Sequence, residues 1–303
     1  MSSGLAADGR KLHLDGVAIV LIVVCCMIWG FQQIAIKAIA HEISYVMQAT
    51  LRSIGSSICI WLWMRYKGIP VFAKDKTLIP GMIAGFLFAL EFLLLYSGLE
   101  FTNTSRAIIF LYLSPFVVAG TLSIFIKSER KYTVQFLGLI IAFLALAFMF
   151  QEGLTKFQGT YLKGDVLVVL AAIAWGLTTV VVRVSTLSSI VPERTIFYQL
   201  FFSAIFLGIY CLFAEIPLPK TLSSLALASM ALQIVVVAAA SYLVWFWLLR
   251  HYLATKVASF GFLTPIFGFI FSVLLMGDPL SSRLVIGLIG VAVGIFLVNK
   301  KRS

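Results

Sequence analysis

Arg52 and Glu91 stand out chemically, because each lies within a run of about twenty mostly apolar residues. Ionisable side chains in such runs are costly to place in hydrocarbon, so each needs a partner or a purpose. Arg52 falls about eight residues from one end of its run and Glu91 about seven from the same-side end of the next. At 1.5 Å of rise per helical residue, both sit about 10 to 12 Å deep. Glu91 is therefore expected to face a cation, Arg52 first and Arg106 second. Two uses remain open for the carboxylate: it binds an amine or a mobile proton, or it locks two helices as an ion pair.

A second constellation is aromatic. Trp29 and Trp175 are each followed by glycine, and Gln32 and Gln33, like Thr178 and Thr179, come three or four residues later on the same helical face. A ring beside amide or hydroxyl groups suits an amino acid or aromatic metabolite, since the ring supplies dispersion and the polar group fixes orientation. The competing use is packing, with Gly30 and Gly176 letting helices approach closely. Tyr96, Tyr112, Ser241, Tyr242 and Trp245 extend the same lining as candidates. Pro115 and Pro265 interrupt apolar runs, and each removes a backbone donor, which predicts a bend.

Other chemistries find little support. His13, His41 and His251 are scattered over tails and loops, and Cys25, Cys26, Cys59 and Cys211 lack paired spacing, so neither a metal nor a disulfide framework is expected. No nucleophile–base constellation suggests an enzyme, no cofactor is implied, and no phosphate-cradling glycine loop suggests ATP-driven work or an ATPase subunit.

The elements that hold these side chains must tolerate lipid. Of 303 residues, 61% are hydrophobic and 12% charged, more apolar surface than a soluble core could hide. Runs long enough to cross the bilayer give ten segments: Val17 to Ala38, Ser44 to Tyr66, Leu78 to Gly98, Thr104 to Ile126, Thr133 to Gln151, Gly164 to Ser185, Thr195 to Ala214, Ala226 to Leu249, Thr255 to Met276 and Arg283 to Asn299. The expected fold is therefore an all-α integral membrane protein. The polar start with Arg10 and Lys11 precedes an apolar run without a cleavage site, and so reads as a retained first helix.

The net charge of +11 sits mostly between the apolar runs, which reads as topology rather than nucleic-acid binding. With the amino terminus inside, the inner segments hold Arg10, Lys11, Arg65, Lys67, Lys74, Lys76, Lys127, Arg130, Lys131, Arg183, Arg194, Arg250, Lys256, Lys300, Lys301 and Arg302. The outer ones hold Lys37, Arg106, Lys156, Lys163, Lys220 and Arg283. This bias predicts a multi-pass protein of the cytoplasmic (inner) membrane with both termini in the cytoplasm.

The chain also repeats itself. Trp29-Gly30 with Lys37 returns 146 residues later as Trp175-Gly176 with Arg183, and Leu113-Ser114-Pro115 returns 150 residues later as Leu263-Thr264-Pro265. At the latter shift Leu93, Leu99 and Phe110 fall on Leu243, Leu249 and Phe260. Repeats of five spans, an odd number, must insert in opposite senses, and inverted repeats create a midplane site that opens to either side by rocking. The expected division is a tail over 1–14, a first repeat over 15–151, an extracytoplasmic linker over 152–163, a second repeat over 164–299 and a basic tail over 300–303. A unit self-contained around its own cavity needs no partner chain, so a monomer or weak dimer in lipid is expected.

Several of these segments resemble the EamA family of the drug/metabolite transporter superfamily. In the first half they are Ile28-Trp29-Gly30 with Lys37, Gly98-Leu99-Glu100-Phe101-Thr102, and Leu111-Tyr112-Leu113-Ser114-Pro115 followed by Ser128-Glu129-Arg130. In the second half Ala174-Trp175-Gly176, Phe262-Leu263-Thr264-Pro265 and Gly277-Asp278-Pro279-Leu280 match, with Asp278 where the family more often has Glu. The resemblance implies a ten-helix transporter, most simply an exporter of amino acids or related small metabolites. The alternatives are an importer or a carrier of drugs, nucleotide-sugars or phosphate esters, and further off a membrane-embedded enzyme or sensor.

Overall fold

The computed structural model describes residues 9–73, 75–129, 133–155, 161–219, 221–277 and 282–300. The topology residues Lys74, Arg130, Lys131, Lys156, Lys220, Lys301 and Arg302, and the segment Asp278-Pro279-Leu280, lie outside the described residues. Among the described residues every regular element is helical: α1 (Gly16–Ala38), α2 (Tyr45–Tyr66), α3 (Leu78–Leu99), α4 (Thr104–Leu111), α5 (Ser114–Phe125), α6 (Thr133–Met149), α7 (Glu152–Thr155), α8 (Tyr161–Val184), α9 (Pro192–Phe213), α10 (Ser224–Ala231), α11 (Tyr242–His251), α12 (Ala254–Ser259), α13 (Leu263–Met276) and α14 (Ser282–Asn299).

Eight stretches among the described residues are helical, long and apolar enough to cross a membrane: α1, α3, α4 with α5, α8, α9, α10 through α11, α12 with α13, and α14. The 17 residues of α6 form a shorter apolar helix. The 22-residue α2 is long enough, but it carries Gln48, Arg52, Ser53, Ser56 and Ser57 on its buried side.

Three expected spans are not uniform helices. α4 stops at Leu111 and α5 begins at Ser114, with Pro115 in the first turn of the new helix, where a missing N–H leaves no bond unmade. The same happens 150 residues later, where a 3₁₀ turn over Phe260–Phe262 joins α12 to α13 just before Pro265. Between α10 and α11, Leu232–Ser241 winds more loosely, with π-type i→i+5 bonding. The sixth span also starts earlier than its hydropathy suggests, at Tyr161, and Glu152–Thr155 of the expected linker forms the short helix α7.

The Trp-Gly pairs hold equivalent seams. A Cβ on Gly30 would lie 2.9 Å from the Thr264 carbonyl oxygen on α13, and one on Gly176 would lie 3.2 Å from the Ser114 carbonyl oxygen on α5. Thr264 and Ser114 are themselves 150-residue counterparts. The absence of a side chain at each glycine lets α1 lie on α13 and α8 on α5 at backbone distance.

Polar contacts gather at the two ends of the bundle. At one end, called here the terminal face, Lys11 N–H donates to His251 O (2.9 Å), Gln135 reaches Lys300 O (3.3 Å) and Lys256 reaches Asn299 O (3.4 Å). At the opposite face Glu42 accepts from Ser223 Oγ (2.7 Å), and Arg106 pairs with Asp165.

Candidate substrate cavity

A cavity of about 340 Å³ runs through the bundle, walled by α1, α2, α3, α4, α8, α9, α11 and α13. Neither α6 nor α14 contributes a described residue to its lining. Toward the opposite face the wall reaches the helix ends at Lys37, Tyr45, Leu99 and Thr104. Toward the terminal face it ends on Val182, Phe246 and Leu249. Beneath those three lies a space of about 20 Å³ bounded by Arg10, Arg183 and Ser188.

That floor is locked from below. Glu129, 1% exposed, accepts from Arg183 Nε (2.9 Å), from the backbone N–H groups of Ala254 (3.0 Å) and Thr255 (3.1 Å), and from Thr255 Oγ1 (2.7 Å). One carboxylate thus neutralises a buried cation and caps α12, joining the end of α5 to α8 and α12. Arg10 Nε donates to Leu249 O (3.1 Å), one of the carbonyls left free at the end of α11. Arg194 pairs with Asp75, whose carboxyl is held below its ordinary value by the Thr77 hydroxyl and then by Arg194.

The sequence candidates distribute as follows. Trp29, Gln32, Gln33, Glu91, Tyr96, Tyr112, Trp175, Thr178, Thr179, Tyr242 and Trp245 all line the cavity, and so does Arg52. Ser241 stands behind the wall, where it accepts from Trp29 Nε1 (2.7 Å) and donates to Val237 O (2.6 Å), so it fixes the indole. Trp29 meets Trp245 and Tyr242 edge to face, with ring centres 5.0 and 5.9 Å apart, and Trp175 meets Tyr112 at 5.7 Å. Thr178 spends its hydroxyl proton on Ala174 O (3.0 Å).

The expected ion pairing takes a different form. Arg106 does not face Glu91; its Nε lies 3.1 Å from both Asp165 oxygens and its Nη1 donates to Gly153 O (3.3 Å), while Thr102 Oγ1 also donates to Asp165 (2.7 Å). Asp165, in the first turns of α8, reaches the start of α4 first. Arg52 and Glu91 form no salt bridge with each other. Arg52 lies over the Phe92 ring, with Cζ 4.3 Å from its centre, and its Nε and Nη2 meet no acceptor; Glu91 Oε2 meets no donor.

The wall also holds residues that hydropathy did not single out, among them Lys37, Tyr45, Phe88, Phe92, Thr104, Gln199 and Thr264. Lys37 was readable from the repeat, as the counterpart of Arg183, and Thr264 from the Leu-Thr-Pro repeat. Gln199 is an amide within an apolar run, the kind of signal that marked Gln32.

The sequence profile of the EamA-like transporter family matches residues 16–151 and again 162–300. The chain belongs to the EamA-like transporter family. It is 20% identical to the uncharacterized transporter YoaV of Bacillus subtilis (strain 168), over 89% of this chain and 92% of that one. It is 24% identical to an uncharacterized transporter of Archaeoglobus fulgidus, over 96% and 98% of the two chains. A solved crystal structure superposes with a TM-score of 0.79 over 93% of this chain and 98% of that one; at 16% identity this likeness is one of fold. Membership in an EamA-like family, with apolar helices of spanning length, makes this a multi-pass membrane transporter with a small-molecule substrate and a lipid surround. It points away from an enzyme.

Proposed function

We propose that this EamA-like protein exports amino acids or related small metabolites by alternating access through the central cavity. The observation that carries the reading is the cavity itself: about 340 Å³, lined by aromatic rings and a few amides, hydroxyls and charges, closed toward one face and reaching the other. That composition is what binding an amphipathic small molecule requires, with rings to cover its body and sparse polar groups to orient it. Trp29 is the central contact in this reading, because Ser241 fixes its indole against the cavity. Gln32, Gln33 and Thr179 follow as polar contacts.

The reading includes ten crossings arranged as two inverted five-span repeats. Its support is the double match of the family profile, the equivalent Trp-Gly seams and the paired helix breaks before Pro115 and Pro265. Inverted halves rocking about a fixed site give alternating access, with the broken spans as natural flexing points. The basic bias of the terminal face supports a cytoplasmic location for it, and hence an outward-facing arrangement of the cavity.

The test is efflux of labelled amino acids from proteoliposomes containing the full chain. Saturable efflux that falls at least tenfold in Trp29→Ala supports the reading. Wild-type efflux in Trp29→Ala removes the site assignment, and saturable flux confined to other solute classes removes the amino-acid assignment.

A further inference from the structure

Every buried ion pair among the described residues is closed at hydrogen-bond distance except where it would matter most. Glu129 with Arg183, Arg106 with Asp165 and Arg194 with Asp75 are all joined. Arg52, 1% exposed, and Glu91, 7% exposed, line the same cavity from α2 and α3, yet make no salt bridge or hydrogen bond with each other or with any described residue. Ionisable groups buried in a helical bundle without hydrogen-bond partners cost the fold heavily, whether charged or neutral. A fold that closes its other buried charges onto partners, and leaves these two facing a cavity, reserves them for something that enters it.

The chemistry at each pole is specific. The Phe92 ring holds the Arg52 guanidinium from one face, which leaves the N–H donors in its plane free, the arrangement that grips a carboxylate with two parallel bonds. Glu91 presents a carboxylate oxygen with no donor, which suits an ammonium. Gln199 Oε1, also buried, unpartnered and on the wall, supplies a further acceptor. A cargo with one charge would satisfy one pole and leave the other orphaned.

We infer that Arg52 and Glu91 together read the two ends of a zwitterion, Arg52 taking a carboxylate and Glu91 an ammonium of the same molecule. The Trp29, Tyr242 and Trp245 rings cover its apolar body. The inference rests on the transport reading and sharpens it, from a general preference for amino acids to rejection of amines and acids that carry only one of the two charges.

The test is competition in proteoliposomes against labelled L-phenylalanine, using 2-phenylethylamine, which lacks the carboxylate, and 3-phenylpropionate, which lacks the ammonium. Expected in the wild-type chain is at least tenfold weaker competition by either analogue than by unlabelled phenylalanine. Arg52→Gln should then lose phenylalanine flux while relatively favouring the amine, and Glu91→Gln should relatively favour the acid; a purely structural role would lower all three together. Analogues that compete as well as phenylalanine, or variants that depress all three equally, overturn the inference. Saturable flux of some other solute that phenylalanine does not inhibit overturns it while leaving transport intact, and no saturable flux of any solute overturns both.

Discussion

The two ends of this bundle are built differently. At the terminal face the contacts converge on one small space under the cavity floor: Glu129 reaches Arg183, Ala254 and Thr255, Arg10 reaches Leu249, and Arg10, Arg183 and Leu249 all border that space. At the opposite face they form separate clusters, Arg106 with Asp165 and Thr102 on one side and Glu42 with Ser223 on another, with the cavity wall between them. The repeat makes the difference informative. Lys37 is the 146-residue counterpart of Arg183, and Thr104 and Ser105 are the 150-residue counterparts of Ala254 and Thr255. Arg183 is 5% exposed and locked, whereas Lys37 is exposed at the cavity's edge. Matched sequence positions thus hold different roles in one conformation, the asymmetry that the proposed rocking of inverted halves would produce.

The largest effect is expected from Glu129→Ala. It removes the carboxylate facing a buried arginine and uncaps α12 in one step, so about 3 to 5 kcal/mol of stability should be lost, the range for breaking a buried pair. Thermal unfolding in detergent measures that loss. Reaction of a Val182→Cys reporter with a membrane-impermeant maleimide, applied from the terminal face, should rise at least tenfold in the same background. An unchanged reporter would mean that the lock does not close the floor.

Arg106→Ala is the control at the other end. Asp165, itself buried, loses its cation but keeps the Thr102 hydroxyl, so the cost should lie at the lower end, about 3 kcal/mol, of the range for breaking a buried pair. Labelling of the Val182→Cys reporter from the terminal face should stay at the wild-type level. A rise would show that the two ends are coupled through α8 rather than held independently.

Lys37→Ala is expected to act on rate and not on stability. An exposed side chain with no ion pair in this arrangement should change stability by no more than about 0.5 kcal/mol. If Lys37 does for the other conformation what Arg183 does for this one, efflux should nevertheless slow several-fold. Wild-type efflux would separate the repeat in sequence from any repeat in mechanism.

Much of the scaffold was legible because bilayer crossing demands long apolar runs, and the runs for α1 and α3 match their helices to within a residue at nearly every end. The breaks before α5 and α13 and the loosened turn before α11 were not legible in hydropathy, which registers apolar content and not which carbonyl each N–H meets. Pro115 and Pro265 marked two of the three places; Leu232–Ser241 contains no proline or glycine to mark the third. The cavity wall was legible where a polar or aromatic side chain interrupts an apolar span, as at Trp29 and Gln32. At Lys37 hydropathy reads only a topology charge, and it is the repeat that pairs this position with Arg183; off the wall, the place of Asp165 near a helix start disguises an ion-pair partner for Arg106. Spacing along one chain gives depth but not rotation about the helix axis, and rotation decides which cation an acid meets.

Asp15 carries the smallest expected effect and tests whether the amino-terminal segment belongs to the lock. Its Oδ1 caps α1 by accepting from Ala18 N–H (3.0 Å), and its Oδ2 accepts from Lys11 Nζ (2.8 Å) and Tyr252 Oη (2.7 Å). Lys11 foremost, then the Ala18 N–H and Tyr252, hold its carboxyl well below the usual carboxylate range. A depressed carboxyl supports the docked segment at every pH above its ordinary value, and that support fades only as the pH falls through the lowered one, so docking should not change between about pH 8 and about pH 5. Asp15→Asn keeps an acceptor for Ala18 but gives up the lysine. Amide exchange at Lys11, whose N–H donates to His251 O, should quicken by a few-fold with efflux unchanged. Equal exchange rates would place this exposed pair among the many surface ion pairs that contribute nothing measurable, and would leave Arg10 as the segment's hold on the floor.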